Sequence, residues 1–242
     1  MAYSCATSCA IRLQRRQTVI AIHDTSISKQ VMRALRQQIF AGKLKPGEKI
    51  PEGKIAEEMG VSRGPVREAL LVLEQEGLIA TSPRRGSRVA QITVRDVREI
   101  YTLRAMLEGF AVAVFMDRIT RESLTALEEA LLELKEAVEN KDVIEIARKN
   151  LHFHEIILLG CNHGRVISTW KSLQAQSRML SSMATEYYLG LEDLYQHHVD
   201  LEAAIRSGDK HKAKKAFEKH ILDSLEQLLE CFKKNMLLGE EL

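Results

Sequence analysis

The sequence predicts a mostly α-helical protein in two parts: a winged helix-turn-helix over residues 26–92, then an all-α bundle over 93–235. Three observations carry this expectation. Two short helical patterns meet at Gly60, and a basic turn, Ser82-Pro83-Arg84-Arg85-Gly86, separates two short strand patterns. No proline follows Pro83, and amphipathic segments of helical period fill the rest of the chain. Charge divides at the same place, with 15 Lys/Arg against 8 Asp/Glu in residues 1–90 and 20 against 25 beyond. A basic module that meets an anionic partner, joined to a module with another task, accounts for that asymmetry.

In chain order, residues 1–25 are expected to form a disordered basic tail. Arg12, Arg15 and Arg16 follow a weakly apolar stretch rather than precede it, the wrong order for a secretory signal. Ser28 is placed to start a first helix whose Val31, Leu35, Ile39 and Phe40 face a core. That helix ends near Gly42, before a Lys45-Pro46-Gly47 turn. Pro51 to Met59 reads as a second short helix stopped by Gly60. Ser62 is suited to cap a third, and Pro65 is tolerated in its first turn. Val66, Ala69, Leu70 and Leu73 give this helix one apolar face. Strands are expected at 77–81 and 87–90, and 91–93 reads as a linker. Thr93 and Asp96 have the spacing of a capping box. Helices are expected near 94–116, 121–139, 142–159, 163–183, 190–207 and 209–233, broken at Asp117/Thr120, Asn140, Gly160–Gly164, Gly190 and Gly208.

Arg63 and Arg67 lie four residues apart near the start of the third helix, so they project together from a face beside the apolar one. Such a pair suits a helix entering the major groove of DNA, where arginine reads guanine through two hydrogen bonds. An amphipathic helix with merely solvated arginines is the plainer alternative. The hairpin bearing Arg84, Arg85 and Arg88 is then a wing, shaped for a phosphate backbone or a minor groove. The four cysteines, Cys5, Cys9, Cys161 and Cys231, make no disulfide framework, which points to a reducing, cytoplasmic setting. No apolar run approaches the roughly 18 residues of a membrane span.

In the second half, three helices each aim a histidine into an apolar stripe. At 100° per residue, Asn150 and His154 fall on the face of Val143, Ile146, Ala147, Ile157 and Leu158, whereas His152 points away. His198 lies among Leu191, Leu194, Tyr195, Leu201 and Ile205, and His220 among Ala213, Ala216 and Phe217. A single inward histidine is usually a hydrogen-bonded core residue. Three together offer neutral imidazoles to a divalent cation of the zinc, nickel or manganese class. A helical metal-dependent hydrolase is the competing reading. Against it, His154-Glu155 begins an H-E-x-x-H pattern that ends in Leu158, and no G-x-S-x-G or phosphate-binding loop is present.

Several motifs in order resemble the GntR family of bacterial transcription regulators over roughly residues 26–92. They are Ala41-Gly42-Lys43-Leu44-Lys45-Pro46-Gly47-Glu48-Lys49-Ile50, Val61-Ser62-Arg63-Gly64-Pro65-Val66-Arg67-Glu68-Ala69-Leu70, Glu76-Gly77-Leu78 and Pro83-Arg84-Arg85-Gly86. The resemblance implies a homodimer on a short GT/AC-containing palindromic operator. Ser62, Arg63, Pro65, Arg67, Arg84, Arg85, Gly86 and Arg88 would meet the duplex, with Gly86 approaching the minor groove. Some family members carry an arginine where this chain has Gly53. Residues 94–233 are similar to the FCD effector domain of the FadR subfamily, on Asn150-x-x-Phe153-His154, Gly160-Cys161-Asn162, His198, Gly208-Asp209 and His220. That resemblance implies metal ligands at Asn150 (where the family has Asp), His154, His198 and His220. It also implies a small organic-acid effector, with Arg104, ahead of Leu107-Glu108, meeting its carboxylate. An ordinary i, i+4 ion pair between Arg104 and Glu108 is the alternative for that arginine.

Overall fold

The computed structural model describes residues 26–187 and 191–235, so the expected tail at 1–25 lies outside the described residues. The winged helix comprises α1 (Ile27–Phe40), β1 (Lys49–Ile50), α2 (Glu52–Glu58), α3 (Arg63–Gln75), β2 (Ile79–Ser82) and β3 (Gly86–Val89). α1 begins two residues earlier than expected, because the Ser26 side chain, not Ser28, accepts the N-terminal bond from the Lys29 amide. The apolar positions of α1 and α3 face one another as their spacing requires. Val31, Leu35, Val66, Leu70 and Leu73 are buried together with Leu78 and with Ile79 and Val89 of the sheet.

The sheet has antiparallel order β1-β3-β2, with Lys49 opposite Arg88 and Ile79 opposite Val89. β1 escaped the sequence reading. Two residues show no alternation, and the strand exists only through its pairing with β3. β2 and β3 also run one to two residues nearer the turn than expected.

The bundle is built from α4 (Val94–Phe115), α5 (Arg121–Glu139), α6 (Val143–Gly160), α7 (Gly164–Tyr187), α8 (Leu191–Arg206) and α9 (Lys210–Asn235). Each expected helix is present, with ends shifted by a few residues at most. Side chains set the starts. Thr93 and Asp96 cap each other's amides at 2.8 and 3.2 Å, so the shorter Asp completes the box. Asp142 accepts from the amides of Ile144 and Glu145, both at 3.1 Å. α4 packs along α9 and also meets α6 and α7, while α5 lies against α6 and α8. Gly109 makes the α4–α9 approach feasible, since a Cβ there would sit 2.5 Å from Glu218 Cγ.

Both modules share one core. Val97, Tyr101, Met179, Leu180, Ile221 and Leu225 of the bundle continue the winged-helix interior. Gly77, at φ +70° in the turn after α3, abuts Gln176 of α7 so closely that a Cβ would fall 2.6 Å from its Nε2. The winged-helix module is therefore seated on α7 by direct packing.

Candidate nucleic-acid interface and buried histidine site

Ser62 holds the extended backbone of an N-cap, but its side chain makes no capping bond, contrary to the expectation. Its hydroxyl is exposed instead. Pro65 lies within the first turn of α3, where a missing N–H removes no helical bond. Arg63 and Arg67 are both exposed, and both lean on the start of α2. Arg67 Nε donates to Glu52 Oε2 at 2.8 Å, with the arginine side chain still 68% exposed. Arg63 lies over Gly53, where an added Cβ would come within 3.2 Å of Nη2. An exposed ion pair contributes only about 0–1 kcal/mol, so Arg67 is steered without being locked.

At the wing, Arg85 N donates to Ser82 O at 3.2 Å, with Pro83 second in the turn and Arg84 third at φ +66°. That order is the signature of a type II turn, which normally places glycine third. Arg84 occupies the strained position and is thrust outward, and Gly86 at φ +74° turns the chain back into β3. Arg84, Arg85 and Gly86 are exposed at the tip. Arg88 differs from the tip arginines. Its Nη1 donates to Gly47 O at 3.1 Å and ties the wing to the turn before β1.

The second site lies inside the bundle. α6 brings Asn150 and His154 to one face, and His152 is exposed on the other, as the helical phase requires. α8 supplies His198 and α9 His220. One ring nitrogen from each of His154, His198 and His220 lies within 4.8 Å of the other two. His154 and His198 are about 1% and 0% exposed. Their Nε2 atoms are 3.3 Å apart, and His198 Nε2 is 3.1 Å from Asn150 Oδ1. His220 stacks on His154 at 5.3 Å between centroids.

The tautomers follow from the outer partners. His198 Nδ1 lies 2.7 Å from Leu194 O, and a carbonyl only accepts, so Nδ1 carries the proton. His154 Nδ1 lies 2.6 Å from Glu108 Oε2. Both atoms are shielded and have no other partner, so the imidazole proton lies between them. His198 therefore turns an unprotonated Nε2 toward the centre, and His154 does so whenever its ring is neutral. Rotating the Asn150 amide would offer one donor there, but the His154–His198 contact gains no donor while both rings are neutral. Burial, reinforced by His154, lowers His198 to about 3, and burial with His198 and His154 holds His220 well below the usual range. Converging neutral imidazoles form a donor set for a divalent cation. The 3.3 Å separation is close to the ~3.4 Å between two nitrogens on one tetrahedral zinc ion.

Arg104 and Glu108, one turn apart on α4, are 4% and 0% exposed, so both charged groups lie within the core. Arg104 Nε donates to Glu108 Oε1 at 2.9 Å, and Trp170 Nε1 donates to the same oxygen at 2.9 Å. Burial alone would raise the Glu108 carboxyl. Arg104, His154 and Trp170 outweigh it and bring it down to about 2. The i, i+4 pair exists, and Arg104 also lines a cavity of about 60 Å³ with Asn150, His154, His220, Tyr101 and Ser181. At 10–15 Å³ of such space per water, the cavity admits roughly four to six water-sized groups.

The sequence paired Glu108 with Arg104 alone and gave neither Glu108 nor Trp170 a place beside the histidines. The signal for Glu108 was a carboxylate at i+4 from an arginine in an otherwise apolar stripe. Trp170, the only tryptophan in the chain, gave no sign of its partner.

Residues 27–89 match the gntR family of bacterial regulatory proteins, and residues 99–223 match the FCD domain. The uncharacterized HTH-type transcriptional regulator YdhC of Bacillus subtilis is 34% identical, over 85% of this chain and 94% of its own. The gluconate operon transcriptional repressor of Bacillus licheniformis is 32% identical, over 73% and 74%. Among solved structures, McbR/YncC of Escherichia coli superposes with a TM-score of 0.72 at 27% identity, covering 86% of this chain and 99% of that one.

Proposed function

Because the chain belongs to the GntR family of bacterial transcription regulators and carries an FCD domain, we propose that it is a ligand-responsive repressor. In this reading a homodimer binds a palindromic operator, and the bundle holds a divalent cation and a small organic-acid effector. The protein is a regulator of the family and not an enzyme, so the three histidines need no hydrolytic role. Among the described residues no helix is long and apolar enough to cross a membrane.

One observation carries the proposal: Arg104, Asn150, His154 and His220 line the same small cavity, with the unprotonated nitrogen of His198 behind them. His154, His198 and His220 would hold the cation, with Asn150 supplying an amide oxygen. Bound there, the ion would offer Lewis-acid positive charge to an effector carboxylate. Glu108 fixes the His154 ring and its tautomer, the task of a carboxylate behind a metal-bound imidazole. Arg104, held on edge by Glu108, presents the rest of its guanidinium to the effector. On the DNA side, Arg63 and Arg67 would read bases while Arg84 and Arg85 meet phosphate or the minor groove. Two-fold protein symmetry would be matched by the operator.

The test is operator retention with titrated small carboxylates, in protein loaded with metal and in protein stripped by chelator. A carboxylate that changes operator affinity in the wild type but not in Arg104→Gln supports the reading. Identical titrations in both proteins would sink the role of Arg104. For the metal, Asn150→Asp is expected to tighten binding, since a carboxylate adds charge and a stronger oxygen ligand.

A further inference from the structure

α7 passes between the histidine cavity and the winged helix, and its outer face borders a second opening. Two adjoining clefts of about 380 and 600 Å³ lie between α1 of the winged helix and α6 and α7 of the bundle, sharing Arg36, Phe40, Arg148 and Arg178. Six cationic side chains stand around them: Arg33, Arg36, Lys43, Arg148, Lys171 and Arg178. Three carboxylates face them, Glu76, Glu145 and Glu155. Two arginines are already satisfied. Arg36 grips Glu76 through Nη2 and Nε at 2.5 and 3.1 Å, and Arg148 holds Glu145 at 2.7–2.9 Å.

Arg178 is not satisfied in this way. Its guanidinium lies over the Phe40 ring at 4.5 Å, its Nε is shielded from solvent without a hydrogen-bond partner, and no carboxylate among the described residues pairs with it. An Nε closed to water is closed to a ligand in the cleft as well, so the Nη amines at the end of the guanidinium are the donors that such a ligand can meet. Burial, more than the nearby charges of Arg148 and Arg36, draws the Arg178 pKa downward, and Glu145 opposes it.

We propose that this interdomain cleft binds a small oxyanion-bearing molecule, phosphate or carboxylate, held chiefly by Arg178. Guanidinium recognises both groups through parallel hydrogen bonds. Arg148 and Lys171 border the space on the bundle side, and Arg36 borders it on the winged-helix side. An anion seated there touches both modules at once. The site is separate from the histidine cavity, with Leu151 as a wall common to the two. It does not depend on the metal reading.

The experiment is thermal unfolding of the full chain at constant ionic strength in chloride, titrated with inorganic phosphate and, in parallel, with malonate. A saturable rise in Tm with either probe is expected, and the probe that saturates identifies the phosphoryl or carboxylate class. Arg178→Gln is expected to weaken the apparent affinity about tenfold or more, and Lys171→Gln about threefold. His154→Ala, which removes a proposed metal ligand, is expected to leave the anion titration unchanged, separating this site from the other. Absence of saturation with both probes overturns the proposal, as does a rise that Arg178→Gln leaves intact. If Arg178→Gln does not fold, the exposed Lys171→Gln decides: an unchanged titration there counts against the cleft.

Discussion

The arginines of α3 and the histidines of the bundle are both sets of cation-capable side chains brought together by helices, yet the two sets are held in opposite ways. Arg63 and Arg67 are exposed and rest on α2 through one backbone approach and one solvated ion pair. His154 and His198 are buried, and each has its outer nitrogen fixed by a partner that dictates where the proton sits. An exposed, lightly tethered arginine can trade its carboxylate for a phosphate or a guanine at little cost. A buried imidazole with its tautomer set offers a fixed lone pair, which a cation or a hydrogen-bond donor can occupy. The first arrangement suits a large partner that arrives and leaves; the second suits an ion that stays.

The largest expected effect tests the histidines. His154→Ala, His198→Ala or His220→Ala is expected to reduce metal retention by about 100-fold or more, beyond the roughly 10–100-fold typical of an outer-shell change. His152→Ala, exposed on the same helix, is expected to retain metal fully. Elemental analysis after gel filtration checks this, and equal losses in His152→Ala and His154→Ala would refute the helical phase. Glu108→Gln comes next. It is expected to lower metal affinity about 10–100-fold. By leaving Arg104 without its buried counter-charge, it is also expected to cost about 3–5 kcal/mol of stability, read by denaturant titration.

Acid provides a third test, in chelated protein. Glu108 has a folded pKa depressed from 4.5 to about 2, so its contribution is present above the unfolded value and lost as pH falls from 4.5 toward 2. His198 falls from 6.5 to about 3 and His220 is also lowered. The unfolded chain therefore takes up protons first, and stability drops as pH falls below 6.5. Tm is expected to decline from about pH 6.5 downward, and replacing His198 with Gln is expected to flatten the upper part of that decline. A flat profile to pH 4 in the wild type would contradict the burial of these groups.

On the exposed side, effects are smaller and depend on salt. Arg63→Ala or Arg67→Ala is expected to cost about 1–3 kcal/mol of specific binding. Arg84→Ala or Arg85→Ala is expected to weaken operator and random duplexes alike and to reduce the salt slope by about one each. Arg88→Ala is expected to act through the wing's attachment to Gly47, with little change in that slope. Smallest of all, Gly53→Ala is expected to displace the Arg63 guanidinium and weaken the operator by less than removing the arginine does. Unchanged binding in both Arg63 and Arg67 variants would end the recognition-helix reading.

What the sequence made legible follows the same division. Apolar periodicity was enough to place the helices and to point His154 inward and His152 outward, because phase is a local property of a helix. The wing could be read from Pro83 and Gly86, whose backbone demands are local too. What escaped depended on partners distant in the chain. β1 needs β3, Glu108 needs Trp170 sixty-two residues away, and the tautomer of His198 needs a carbonyl whose direction no spacing reveals. Ser62 shows the converse limit: residue type and position both suited a cap, yet the side chain turns to solvent.

Glu108 carries a consequence for what the protein would measure in the cell. One carboxylate receives Arg104 and Trp170 on one oxygen and His154 on the other. An effector that draws Arg104 toward itself leaves that carboxylate more electron-rich. The carboxylate then pulls harder on the His154 proton and makes the opposite nitrogen a better donor to the ion. Linkage makes the effect mutual: the ion strengthens the effector by the same factor. In the proposed regulator, metabolite and metal would then be sensed jointly, each raising the apparent affinity for the other.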